Sequence, residues 1–156
     1  MDTTNSTQKE FPNEYKGFKW VKGRVLDVGC GAGRHSLYFQ RKGHFVVGID
    51  TDKFCVKTSK ERGVKHVFLE NILRPKKIKQ FKFDTAWFGG SNLGVTRRIE
   101  NLPKLFHILD LITTPNAVII ATGRDFTVGK PKKIHRDYLQ RNKEKGIYPG
   151  TIELRI

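Results

Sequence analysis

Three glycines within five residues, Gly29, Gly31 and Gly33, follow directly on the apolar stretch Val25-Leu26-Asp27-Val28. A buried strand that runs into a glycine turn and then opens a helix leaves backbone amides exposed at the helix start. These form a cradle for a polar or anionic ligand. Glycine serves there because the backbone must enter conformations that a side chain forbids and must let a ligand approach closely. Two cofactor classes use such a turn. Dinucleotide folds place glycine at the first, third and sixth positions, with pyrophosphate on the helix N-terminus. Here the sixth position is Arg34, and the glycines stand first, third and fifth. No Gly-Lys-Ser/Thr follows, which excludes a P-loop. One carboxylate, Asp27, stands two residues ahead of the first glycine. Another, Asp50, ends the next apolar run about 20 residues on, where an acid can hold a ribose diol by two hydrogen bonds.

Asp27-Val28-Gly29-Cys30-Gly31-Ala32-Gly33 resembles motif I of the class I (Rossmann-like) S-adenosylmethionine-dependent methyltransferases. Further matches follow in order, from about Phe18 to Ile156. The resemblance implies that the Gly29–Gly33 turn passes under the methionine and ribose of S-adenosyl-L-methionine. Asp27 would orient the turn or the cofactor's ammonium. Asp50, with Thr51 after it, would hold the ribose, and Glu70 or Asn71, at the end of the third strand, would meet the adenine amino group. Phe88 completes the expected cofactor-binding set, and the loop Gly89–Gly94 after it would face the methyl-transfer site. Methyl transfer from a sulfonium is an in-line displacement with an already activated leaving group, so alignment carries most of the catalysis. No catalytic residue is therefore named. The motif IV region lacks the Asn/Asp-Pro-Pro-Tyr/Phe pattern used on exocyclic base amines, which lowers the expectation of an adenine or cytosine amino methyltransferase. A nicotinamide-dependent oxidoreductase is disfavoured by Arg34.

The remaining candidates read as structural. His35 opens the helix after the turn and has the right chemistry for a general base, but its spacing fits a packing histidine better. His44, His66, His107 and His135 show no metal-ligand spacing, and no metal is expected. Cys30 reads as a small residue chosen for size. Cys30 and Cys55 are too few and too far apart for a disulfide framework or a zinc site, so both are expected as reduced thiols. Asp84, early in the fourth apolar run, reads as a surface or strand-capping residue.

These residues need elements to hold them. Apolar runs at 24–28, 45–49, 67–69, 83–88 and 118–121 are short and rich in Val, Ile and Phe, as strands buried on both faces are. Helices are expected at 34–42 and 53–62, each closed by a glycine, at 101–112, where Leu102, Leu105, Phe106, Leu109 and Ile112 share a face, and at 137–145. Asn101 can cap the third of these, Pro103 fits its first turn, and Asn116 suits a left-handed turn position. Alternating strands and helices make a three-layer α/β fold with a mostly parallel sheet. The resemblance gives its strand order as 3-2-1-4-5 plus a terminal sixth strand. Phe11, Tyr15, Phe18 and Trp20 are expected to lay an aromatic arm on the domain, and residues 1–10 read as a disordered tail.

The chain has 156 residues and a mass of 18.0 kDa, enough for a single domain over 11–156. Thr151–Ile156 alternates as a strand with one wet face, and it reads as strand six. The resembled fold has a seventh strand between five and six, for which no residues follow. The expectation is therefore a domain truncated at its C-terminus, a slipped sixth strand, or a homodimer through the open sheet edge. No apolar run reaches the ~20 residues of a membrane span, and the start shows no secretory signal, so the expected location is cytoplasmic. Thirty Lys and Arg against fifteen Asp and Glu give a net charge of +15. The dense stretches, 76–82 and 130–145, lack any RNA-recognition signature. The expected activity is methyl transfer to a small-molecule acceptor. The alternatives are an RNA or other polyanion methyltransferase and a non-catalytic copy that still binds S-adenosylmethionine.

Overall fold

The computed structural model describes residues 9, 11, 14–123 and 133–146 of the chain. Five strands form one parallel sheet: β1 (Val25–Val28), β2 (Val46–Asp50), β3 (Val67–Leu69), β4 (Phe83–Phe88) and β5 (Thr113–Ala121). Their order is β3-β2-β1-β4-β5, as expected. Helices α1 (Arg34–Arg41), α2 (Lys53–Glu61) and α3 (Leu102–Ile112) connect them. The chain divides into two compact units, 1–123 and 124–156. In the second, α4 (Lys133–Glu144) is described. The expected sixth strand at 151–156 lies outside the described residues, as does the expected tail apart from Lys9.

Period-two alternation sorts the side chains onto two faces. Leu26 and Val28, Val47 and Ile49, and Ala86 and Phe88 join Leu105, Ile108, Leu109 and Ile112 of α3 in one core. Val25, Val46 and Trp87 point the other way, toward Tyr38 and Phe39 of α1. Phe11 and a 3-10 turn at Tyr15–Trp20 close this second core. Phe18 lies with its ring centroid 4.6 Å from Tyr38 and 5.1 Å from Trp87. Phe11, fully buried, stacks on His35 at 5.3 Å, and burying such a ring contributes about 1.5–3 kcal/mol. The aromatic arm is thus part of the core, although Trp20 stays exposed.

Helix ends follow local chemistry. Asp52 caps α2 by accepting from the amides of Phe54 and Cys55 at 2.7 and 3.4 Å. Gly43 and Gly63, with φ of +90° and +96°, close α1 and α2. Asn101 differs from expectation: its side chain donates to the Thr96 carbonyl at 2.8 Å and makes no cap bond, because a 3-10 turn at Ile99–Asn101 already leads into α3. Asn116 differs too. Among the described residues the non-glycines with positive φ are Ser91 and Arg97, and β5 begins at Thr113, running through Asn116 with a register shift opposite Phe83–Thr85. Asp84 performs the strand-capping role. It accepts from the Arg24 amide at 2.8 Å and from the Thr114 hydroxyl at 2.9 Å. Gly23 leaves room for it, since a Cβ there would lie 2.1 Å from the carboxylate.

The second core holds two titratable groups with opposite behaviour. Asp27 is buried beside α1, and burial raises its carboxyl to about 6 despite the hydrogen bond from Ser36. His35 is buried too, and burial, aided by the Arg34 charge, lowers its imidazole to about 4. Below pH 6.5 an unfolded histidine takes a proton that the folded one refuses, so His35 costs stability as pH falls toward 4. Between pH 6 and 4 the folded Asp27 keeps a proton that the unfolded carboxyl releases, so Asp27 restores stability over the same window. Each effect has a ceiling of about 3 kcal/mol. Urea melts from pH 7 to 4 should therefore show an Asp27→Asn protein losing about 2–3 kcal/mol toward acid. A His35→Phe protein should gain stability, and the unmodified chain should stay within about 1 kcal/mol of flat.

Candidate functional site

The sheet order reverses between β1 and β4, and a crevice opens at the carboxyl ends of the strands at such a point. Here Val28 of β1 lies in register with Ile49 of β2. The glycine turn begins immediately above that pair. The amides of Gly29 and Cys30 both donate to the Ile49 carbonyl, at 2.9 and 3.0 Å. The Gly31 amide donates to Oδ2 of Asp50 at 2.8 Å, and the Asp52 amide donates to Oδ1 of the same carboxylate at 2.9 Å. Asp50 therefore bridges the glycine turn and the start of α2.

Gly29, Gly31 and Gly33 all have positive φ, at +70°, +54° and +80°. Their surroundings differ. A Cβ on Gly29 would lie 2.7 Å from Nδ2 of Asn92, and one on Gly33 would lie 2.4 Å from the Ser59 hydroxyl. Gly31 has no atom within 4 Å of that position, so the middle of the turn is open. Asn92, from the loop after β4, reaches across to the turn and donates to the carbonyls of Val28 and Gly29 at 3.1 and 2.6 Å. The Ser91 amide in turn donates to the Thr122 carbonyl at 2.7 Å, which ties this loop to the end of β5.

A cleft of about 260 Å³ lies among these elements, just under the about 300–1,000 Å³ of typical ligand pockets. Ile49, Ile72 and Val95 provide apolar wall, and Asp50, Thr51, Glu70 and Asn71 provide polar groups. The cleft also takes in Gly29, Asn92 and Arg97. It thus brings together five of the expected residues: Gly29, Asp50, Thr51, Glu70 and Asn71. Four do not line it. Gly31 and Gly33 lie elsewhere in the turn. Asp27 sits behind the turn and accepts from the Ser36 hydroxyl at 2.6 Å, with Oδ1 unpartnered among the described residues. Phe88 is fully buried against α3, so its ring belongs to the core and not to the crevice.

Glu70 has a divided role. Its Oε1 accepts from the amides of Lys76 and Ile78, which holds the chain after β3 in place. Its Oε2 is buried without a partner among the described residues. Asn71 accepts from the Leu73 amide at 2.8 Å in a local turn. Cys30 is buried, its thiol pushed up by that burial and further by the charges of Asp27 and Asp50. It packs over Gly48, where a Cβ would meet its sulfur at 3.0 Å. Arg97 and Val95 are cleft residues that the sequence did not point to, and Asn92 was expected only as part of the Gly89–Gly94 loop. A sequence signal existed for Asn92, in the run Gly89–Gly94, but nothing local announced its long-range bonds. Among the described residues no cluster of His, Cys, Asp and Glu could hold a metal, and no helix is long and apolar enough to cross a membrane.

Residues 25–116 match the methyltransferase domain family. A malonyl-[acyl-carrier protein] O-methyltransferase of Erwinia pyrifoliae is 26% identical over 117 residues, 75% of this chain and 42% of that protein. A crystal structure of an S-adenosylmethionine-dependent methyltransferase from Bacteroides fragilis, in complex with S-adenosyl-L-homocysteine, superposes with a TM-score of 0.65 at 30% identity, covering 76% of this chain and 50% of that one. A Pyrococcus horikoshii OT3 structure matches 92% of this chain and 61% of its own at a TM-score of 0.62 and 19% identity, a likeness of fold. The chain spans half or less of the length of the first two relatives. With the glycine turn, the carboxylate at the end of β2 and the 3-2-1-4-5 sheet in place, the chain belongs to the class I, Rossmann-like methyltransferase domain family.

Proposed function

We propose that the cleft binds S-adenosyl-L-methionine and that the chain transfers its methyl group to a small-molecule acceptor. The observation that carries this reading is the pairing of two acidic acceptors along one apolar-walled crevice. The Asp50 carboxylate stands at the end of β2, and the unpartnered Oε2 of Glu70 lies at the end of β3. A nucleoside offers donors to both: a diol for Asp50, whose oxygens each already accept one backbone amide, and an amino group for Glu70 Oε2, with a planar base against Ile49, Ile72 and Val95. The open middle of the turn at Gly31 leaves the backbone accessible to the rest of the cofactor. Held by Asp50 and Glu70, the cofactor would supply an activated methyl group on a sulfonium for in-line transfer to the acceptor.

The chain's contribution is alignment. Asp50 is fixed by two backbone amides, and Asn92 locks the loop after β4 to the turn. Restricting two reactants in this way is worth about 7–11 kcal/mol of barrier at best. No proton acceptor is assigned. His35 is buried in the aromatic cluster and neutral near pH 7, stacked on Phe11. A small acceptor is favoured over a polyanion because the polar groups of the cleft are mainly acidic or neutral, with Arg97 the one cation among the described residues that line it.

Calorimetric titration tests the reading. S-Adenosylmethionine should bind in the micromolar range and NADH should not. An Asp50→Ala change should weaken binding by about 10–150-fold, the scale of a charged hydrogen bond. Equal binding of NADH, or binding of neither, overturns the assignment. Asn92→Ala should lower unfolding free energy by about 1–2 kcal/mol in urea, since two bonds to the turn vanish. It should also weaken cofactor binding, because the loop bearing Val95 and Arg97 loses its anchor. Unchanged affinity would show that this loop takes no part in the site.

A further inference from the structure

Away from the cleft, the densest run of charge borders an apolar groove. Residues 73–82 carry Arg74, Lys76, Lys77, Lys79 and Lys82 and no carboxylate. Glu70, three residues before the segment, is buried and engaged with backbone amides of that segment. Between this segment and α3 lies a groove of about 440 Å³. Leu73, Ile108, Leu111 and Ile112 form its aliphatic part, while Arg74, Lys76 and Lys79 line it from the loop. Leu111 is 55% exposed, although Ile108 and Ile112 beside it are buried. The ion pairs among the described residues involve none of these three cations. Lys82 closes the neighbouring end of α3 by donating to the Leu111 carbonyl at 2.6 Å.

The exposed Leu111 continues the aliphatic floor of the groove out to the surface, beside the three cations. Single-stranded nucleic acid wants aromatic platforms beside its cations, and the walls here are aliphatic. A second copy would bring its own charge of +15 against the same charge and be repelled. A bilayer is met by apolar side chains that project, whereas these lie in a concavity. Charge and shape together fit a helix with an apolar stripe flanked by carboxylates, the stripe in the groove and the acids against the cations.

We propose that the groove between residues 73–79 and α3 docks an acidic amphipathic helix of a partner protein. The probe is a fluorescein-labelled synthetic peptide of about 18 residues, with leucines at i, i+3, i+4 and i+7 and glutamates on the flanks, titrated with the full chain and followed by anisotropy. Saturable binding that weakens with salt is expected. Leu111→Asn, and separately the pair Lys76→Glu and Lys79→Glu, should each weaken it about tenfold or more. The pair Lys60→Glu and Lys65→Glu, on exposed positions of the α2 side, changes net charge equally and should leave affinity within about twofold. All four proteins should melt within about 2 °C of one another, since every substituted side chain is exposed. The proposal is overturned if the peptide does not saturate, if the α2-side pair weakens binding as much as the groove pair, or if Leu111→Asn has no effect. It is also overturned if phosphatidylglycerol vesicles bind in a Leu111-dependent way while the peptide fails.

Discussion

The end of β2 holds the turn that everything else at this site depends on. One carbonyl, that of Ile49, receives two successive amides of the turn, and the next residue's carboxylate receives a third. Three bonds from two adjacent residues fix a path that takes Gly29, Gly31 and Gly33 to positive φ. That path sets the direction in which α1 leaves, which brings Ser36 over Asp27 and His35 under the aromatic arm. It also sets where Asn92 must reach to close the crevice from the opposite side of the sheet's reversal point. Register between β1 and β2 is therefore a functional quantity here. A slip of one residue would take Ile49 from beneath the turn and reverse both faces of the strand at once.

Much of this was legible in the sequence because it is local. Glycine spacing, an acid at a strand end, short Val- and Ile-rich runs and glycine stops each carry their meaning within a few residues. The sheet order came from resemblance and matches the structure. Long-range chemistry was opaque. Nothing near Asn92 indicates that its amide would find carbonyls 63 and 64 residues earlier. Asn101 was legible as a cap by type alone, yet a preceding turn took over that duty and freed its side chain for Thr96. Phe88 illustrates the same limit: its place at a strand's end pointed to the crevice, but strand alternation turned the ring toward α3.

The charge balance also reads differently once placed in space. A surplus of fifteen positive charges looked like a property of the whole surface. Four of the acids have clear structural duties: Asp50 in the turn, Asp52 at a helix start, Asp84 between strands, Glu70 behind the loop. Around residues 73–79 the cations border apolar surface.

Cys30 shows what the tight packing of the turn protects against. The proposed methyl donor is an electrophile, and sulfur is a better nucleophile than most acceptors it could be offered. A thiolate inside the turn would compete for the methyl group and inactivate the protein by alkylating itself. Thiolate, not thiol, is the reactive form. Gly48 gives the sulfur a close-fitting seat, and burial together with the charges of Asp27 and Asp50 holds the proton on it. Burial first, and then the same two carboxylates that shape the site, favour the unreactive thiol form of the site's own cysteine.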